Sequence, residues 1–159
     1  MIKHEPLEAG NKHNKPKMIV VHSMGEFITD PYPIHAQDFL AKLGLSAHAL
    51  ICPNGDVIVC RCDDEGAYHA RGYNTDSLGV EFLVQGNHDY TSFIETIKTD
   101  YVTAAQWDAG VEVVKNWATA WNIPKEKVVR HCDISPGRKV DPGTGFKWTE
   151  FQNKIFEGK

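Results

Sequence analysis

The sequence predicts an α/β domain in which a central mixed β-sheet is flanked by helices. Three observations lead there. Residues 18–22 are a short, mostly β-branched apolar run suited to a strand buried on both faces, and residues 127–131 read as a second short strand. Residues 47–52 and 57–62 flank Pro53-Asn54-Gly55-Asp56, and an Asn-Gly pair between apolar runs signals a hairpin because both residues tolerate positive φ. Residues 103–121 carry Ala105, Ala109, Val113, Trp117 and Trp121 at four-residue steps, the clearest helical pattern in the chain.

The elements follow in order. Residues 1–17 are polar, contain Pro6 and Pro16 and show no periodicity, so they read as an N-terminal arm on the surface or loosely ordered. The strand at 18–22 then ends on a polar histidine, His22. Residues 35–43 have helical apolar spacing with Gly44 as a C-terminal stop. The hairpin comes next, followed by a strand over 77–84 that is apolar except for Glu81, an acid where packing favours a hydrophobe. Residues 86–100 read as a loop. After the long helix and Pro124, residues 127–131 form a strand ending on His131, and residues 148–156 form a last amphipathic helix. With 159 residues, 42% of them hydrophobic, and no repeat or low-complexity linker, the chain fits one core, and residues 18–159 are expected to be a single domain.

Composition narrows the function. A net charge of -4 argues against a basic nucleic-acid-binding surface, and no apolar run approaches the ~20 residues of a membrane span. The N-terminus lacks the basic-then-apolar pattern of a secretion signal, so the product is expected in the cytoplasm, as a monomer by default. Cys52, Cys60, Cys62 and Cys132 are too few for a disulfide scaffold at this length. Free thiols are the expectation, with a disulfide or a metal-binding role as the alternatives.

The chemistry concentrates in residues 131–143, where glycine and proline punctuate a tight loop that carries His131, Asp133, Lys139 and Asp141. An imidazole from His131 and a carboxylate from Asp141 suit Zn²⁺, and His22 is the natural third ligand, leaving a fourth position for water or substrate. Zinc so held acidifies its water to a pKa of ~7 and polarises a carbonyl, both of which amide hydrolysis needs. Glu81 can move the water proton to the leaving nitrogen, and Lys139 can offset charge on the oxyanion.

The segments Ile19-Val20-Val21-His22-Ser23, Ser46-Ala47-His48-Ala49-Leu50-Ile51 with Pro53-Asn54-Gly55, Tyr68-His69-Ala70, Asn74 through Glu81, and His131 through Gly143 resemble, in order, the type 2 N-acetylmuramoyl-L-alanine amidases. That family shares its fold with phage lysozyme-amidases and animal peptidoglycan-recognition proteins. The likeness covers residues 18–146. It implies zinc bound by His22, His131 and Asp141, a catalytic Glu81, and Lys139 on the oxyanion. The chemistry of the residues points to the same five positions. Some members use cysteine as third ligand and a catalytic tyrosine; here those positions are Asp141 and Ala47. Cys132 is not expected to share a metal with His131, since neighbours on a strand face opposite ways. His48 and His69 either line the substrate groove or orient a ligand through a hydrogen bond, and Asn74 binds the peptide stem or serves a turn. Asp133 and Arg138 brace the loop, while His4, His13, His35 and His88 are expected in solvent.

The resemblance implies an enzyme that hydrolyses the bond between N-acetylmuramic acid and L-alanine in peptidoglycan or muropeptides. A phage endolysin acting on the cell wall is the favoured role. The alternatives are a cytoplasmic muropeptide-recycling amidase and a non-catalytic peptidoglycan-binding or regulatory protein.

Overall fold

The computed structural model describes residues 1–158. The chain runs β1 (Ile2–His4), β2 (Met18–Ile28), β3 (Ile34–His35), α1 (Ala36–Leu43), β4 (Ala49–Ile51), β5 (Val57–Val59), β6 (Ser77–His88), α2 (Tyr90–Thr96), α3 (Ala104–Ala120), a 3₁₀ turn (Lys125–Lys127), β7 (Val128–Arg130), α4 (His131–Ile134) and α5 (Trp148–Phe156). The strands form one mixed sheet in the order β1-β5-β4-β6-β2-β3, with β7 also paired to β2. This is the predicted mixed sheet flanked by helices.

Alternation along the strands sorts the side chains into two layers. Ile19 and Val21 of β2, Leu78, Val80 and Phe82 of β6 and Ala49 and Ile51 of β4 face α3 and α5, where they pack with Val114, Trp117, Phe151 and Ile155. The opposite face carries Leu50, Ile58 and Leu83, which pack beneath Leu40 of α1 and Leu7 of the N-terminal segment. β2 and β6 are parallel and in register, with His22 paired to Glu81. The two polar residues therefore emerge side by side on the α1 face rather than in the main core.

Several elements match the sequence reading. β4 and β5 form the antiparallel pair around the Asn54-Gly55 turn, with Gly55 at φ 90°. α1 ends on Gly44 in the left-handed conformation. α3 starts with a capping box in which Thr103 and Gln106 satisfy each other's backbone amides.

Other elements differ. β2 continues to Ile28, so His22 lies within the strand and not at its end. β7 pairs only with Ile19, Val20 and Val21, and β3 only with Phe27 and Ile28. Between them, from His22 on, that side of β2 has no paired strand among the described residues. β6 extends to His88, and Asp89 caps a short helix, α2, inside the stretch read as loop. On α3 the buried positions are Gln106, Gly110, Val114, Trp117 and Ala118, one residue on from the expected stripe except at Trp117, because a polar Gln106 anchors the helix to the sheet. His131 opens helix α4, so the argument that set Cys132 apart from it by strand alternation does not apply.

The first 17 residues, expected as a surface arm, are partly built into the sheet. β1 pairs with β5, and Leu7 and Asn14 are buried. The Arg61 guanidinium donates to the carbonyls of Leu7, Gly66 and Asn11, and the Asn14 amide donates to those of Asp63 and Ser77. Side-chain to backbone bonds of this kind leave no periodic signature.

Candidate active site

The site lies where β7 stops. The chain leaves β7 at Arg130 and turns directly into α4, so His131 is delivered beside the unpaired stretch of β2 that begins at His22. The loop that follows returns on itself, and the Cys132 amide donates to the Asp141 carbonyl at 3.1 Å. Ten residues apart in sequence, His131 and Asp141 are thereby fastened by their backbones. Tyr101 holds the far side by donating its hydroxyl to the Pro142 carbonyl at 2.7 Å.

Three side chains converge. His22 Nδ1 and His131 Nδ1 are 2.9 Å apart, both Asp141 oxygens lie 3.1 Å from His131 Nδ1, and Asp141 Oδ2 lies 3.3 Å from His22 Nδ1. One donor atom from each falls within 4.8 Å of the others, and all three residues are buried. Two imidazole nitrogens cannot face each other at this distance with both lone pairs bare, so the arrangement requires a shared proton or a shared cation. Two imidazoles and a carboxylate are a donor set of the kind that holds a metal ion with one position open.

Glu81 adjoins this group, with Oε1 3.9 Å from His22 Nδ1 and Oε2 buried without a hydrogen-bond partner. Burial, then the nearby Asp141 charge, pushes its carboxyl well above the ordinary value, against a smaller opposing effect of Lys139. Asp141 is held below the ordinary carboxylate value: burial works the other way, but the adjoining His131 and His22 imidazoles outweigh it. The two carboxyls of one site are thus driven in opposite directions, Glu81 up and Asp141 down. Burial is the main cause that lowers His22, offset in part by the neighbouring Asp141 carboxylate.

These residues line a cleft of ≈ 660 Å³ whose opposite wall is apolar, formed by Phe39, Leu40 and Leu43 of α1 and by Phe93 and Ile94 beyond α2's start. Lys139 and Arg138 stand on its rim. A second cleft of ≈ 700 Å³, near β1 and the β4–β5 turn, contains Glu26, His35, Cys52 and Asp56 but no other set of three metal-donor side chains occurs among the described residues.

The structure brings together His22, His131, Asp141 and Glu81, with Lys139 and His69 on the same cleft. It does not bring His48 there. That ring is wholly buried, with Nδ1 accepting from the Gly79 amide at 3.0 Å and Nε2 donating to the Glu65 carbonyl at 2.8 Å, so it cannot contact a substrate. Asn74 lines the cleft, but its Oδ1 accepts from the amides of His69 and Ala70, bracing that turn. His88, expected in solvent, is buried on the cleft, bonded to Ser92 Oγ and the Gln85 carbonyl. Its apolar context, at the end of an unexpectedly long β6, was not visible from local composition. Asp133 binds the Arg130 guanidinium through both oxygens, which steadies α4.

A buried cluster of two imidazoles and a carboxylate that could hold a metal ion thus lies beside a second carboxyl and opens to a cleft. The profile of the N-acetylmuramoyl-L-alanine amidase family matches residues 12–144, and the chain belongs to that family. Among curated proteins it is similar to the 1,6-anhydro-N-acetylmuramyl-L-alanine amidase AmpD of Escherichia coli strain K12, at 31% identity over 86% of this chain and 81% of that one. AmpD of Salmonella typhimurium strain LT2 matches at 29% over 87% and 80%. Among solved structures, the amidase LysC from Clostridium intestinale superposes with a TM-score of 0.73 at 19% identity, over 98% of this chain and 97% of that one. A selenomethionine AmpD derivative does so at 0.71 and 24%, over 96% and 93%. The protein is an amidase of this class, acting on muropeptides or peptidoglycan.

Proposed function

We propose that the chain is a zinc-dependent amidase that hydrolyses the bond between N-acetylmuramic acid and L-alanine, with residues 18–159 as its catalytic domain. The observation that carries this reading is the convergence of His22, His131 and Asp141 donors within 4.8 Å, next to the buried Glu81 carboxyl. These three residues would hold the ion. When bound, zinc supplies Lewis acidity toward the scissile carbonyl and acidifies water. Glu81, whose buried carboxyl grips a proton more tightly than an ordinary one, takes a proton from the attacking water and returns it to the leaving nitrogen. Lys139, on the rim, donates to the oxyanion that develops on the carbonyl. Asn74, with its Oδ1 engaged, offers the stem peptide its amide N–H groups.

The first reading of its biological role is a phage endolysin that acts on intact wall. A second reading, a cytoplasmic amidase for 1,6-anhydro-muropeptides, is favoured by the names carried by its sequence relatives.

The test measures zinc per chain by elemental analysis, together with stem-peptide release from purified peptidoglycan and from 1,6-anhydro-muropeptides, with and without a chelator. We expect one zinc, cleavage that chelation abolishes and zinc restores, and a Glu81→Ala variant that keeps its metal but loses turnover. Turnover by metal-free protein would refute the mechanism. Preference for whole peptidoglycan supports the endolysin role, and preference for the anhydro-muropeptide supports recycling.

A further inference from the structure

Building on the reading of His22 as a metal ligand, we propose that His69 and Ser77 are positioning residues. They form a hydrogen-bond relay, anchored on the Tyr73 carbonyl, that aims the bare Nδ1 of His22 at the ion.

The relay has three links. His22 Nε2 lies 2.9 Å from His69 Nδ1, His69 Nε2 lies 2.9 Å from Ser77 Oγ, and Ser77 Oγ lies 2.6 Å from the Tyr73 carbonyl oxygen. Hydrogen positions follow from the network once its fixed end is recognised. A carbonyl only accepts, and the Ser77 hydroxyl has one proton to give. That proton goes to Tyr73. The hydroxyl is left as an acceptor, so His69 Nε2 carries the hydrogen that fills this second link. A neutral His69 then has a bare Nδ1, which takes its hydrogen from His22 Nε2. Nδ1 of His22 is consequently the nitrogen with the free lone pair, and it is the one that faces His131 and Asp141.

Reversing the direction fails at the anchor. If His69 carried its hydrogen on Nδ1, its bare Nε2 would need the Ser77 proton, and a hydroxyl lone pair would oppose the Tyr73 carbonyl oxygen at 2.6 Å.

The surroundings hold the His69 ring to this task. Gly79 lies directly beneath it, and a Cβ there would meet His69 Nδ1 at 2.5 Å and Cγ at 2.6 Å, so only glycine lets the ring sit at this depth. Asn74 fixes the His69 backbone through its amide. Ser77 is wholly buried, and the Asn14 amide donates to its carbonyl. His69 therefore serves His22 from behind, although its ring also borders the cleft. Partners of this kind orient a ligand and raise its basicity, and their loss typically costs about 10–100-fold in metal affinity.

The first measurement uses metal-free wild-type protein at neutral pH, with ring ¹⁵N shifts read for His22. The relay requires Nε2 protonated and Nδ1 bare; the opposite tautomer overturns it, and no variant is needed to see this. The second is zinc affinity by competition with a chromophoric chelator, on variants first shown by thermal melting to be folded. His69→Ala is expected to bind zinc about 10–100-fold more weakly. His69→Asn, whose Oδ1 can stand where Nδ1 stood, recovers most of the loss, and Ser77→Ala falls between. A His69→Ala affinity within about threefold of wild type overturns the proposal, being below the range for such partners. Should the wild type bind no zinc, the metal reading itself fails, while the ring shifts still decide whether the relay exists.

Discussion

Replacing Gln106 by methionine tests how α3 is joined to the sheet that carries the site. Gln106 is wholly buried, and its amide nitrogen donates to the carbonyls of Ile51 and Leu83, each at 2.8 Å. Ile51 ends β4, while β6 runs on through Leu83, one residue past its last partner on β4. The amide thus takes the place of the strand that is missing beyond Ile51. Methionine matches the length of glutamine and keeps the helix, but leaves both carbonyls without a donor in a dry core. Each orphaned group costs about 1–3 kcal/mol, giving a span of about 2–6 kcal/mol. Part of this is offset because the thioether needs no partner of its own, so we expect a loss of about 3 kcal/mol. At this chain length that lowers Tm by about 6–12 °C and, against a typical total of about 5–15 kcal/mol, leaves the protein folded. Thermal and urea denaturation followed by circular dichroism reads both. A loss below about 1 kcal/mol would refute the reasoning, because the carbonyls would then have found other donors.

Two further predictions concern ionisable groups. In metal-free protein the Glu81 carboxyl is raised in the folded state, while in the unfolded chain it ionises near its ordinary 4.5. Above that pH the unfolded state gains from losing a proton that the folded state keeps, so stability falls as pH rises until the folded group ionises too. Glu81→Gln lacks this dependence, and in a chelator its Tm should match wild type near pH 4 and exceed it by about 3–5 °C for each pH unit across that window; parallel melting curves would contradict the burial argument. All four cysteines are free, and burial raises the Cys60 thiol to about 12 while Cys62 is exposed, so a thiol reagent should modify Cys62 in the native protein and Cys60 only after unfolding. Equal rates at the two would mean that the β5 end is open to solvent.

The fold was legible wherever apolar spacing and turn chemistry reported it. The Asn54-Gly55 hairpin, the Gly44 stop and the two amphipathic helices over residues 104–120 and 148–156 are local consequences of local residues. What could not be read depends on partners distant in sequence. β2 and β6 each run past their apolar stretch because they pair with each other through Ile28 and His88, and that pairing supports polar residues such as His22 and His88 that no local pattern would bury. β1 belongs to the same class, since an exposed three-residue edge strand has no alternation to display. The α3 stripe was misread by one position because Gln106 is buried for its hydrogen bonds, and a hydropathy count scores it as surface.

The candidate site divides along the same line. Residues that act by their chemistry were visible from type and context: an acid inside an apolar strand, a histidine following each of two apolar runs, a punctuated loop closing on an aspartate. Residues that hold others were visible only as alternatives, and His48 and His69, each open to lining the groove or orienting a ligand, show why. Both are histidines in similar-looking segments, yet the first has both ring nitrogens tied to backbone groups, while the second has one nitrogen on Ser77 and the other on His22. Which a histidine becomes is decided by whether its neighbours leave a nitrogen for the cluster. Here a single close approach contributes to both outcomes: Gly79 donates its amide to His48, and its missing side chain lets His69 reach His22. One glycine on β6, two residues before Glu81, thereby connects the packing of the strand to the orientation of the candidate ligand, and a substitution there should disturb zinc binding before it disturbs the fold.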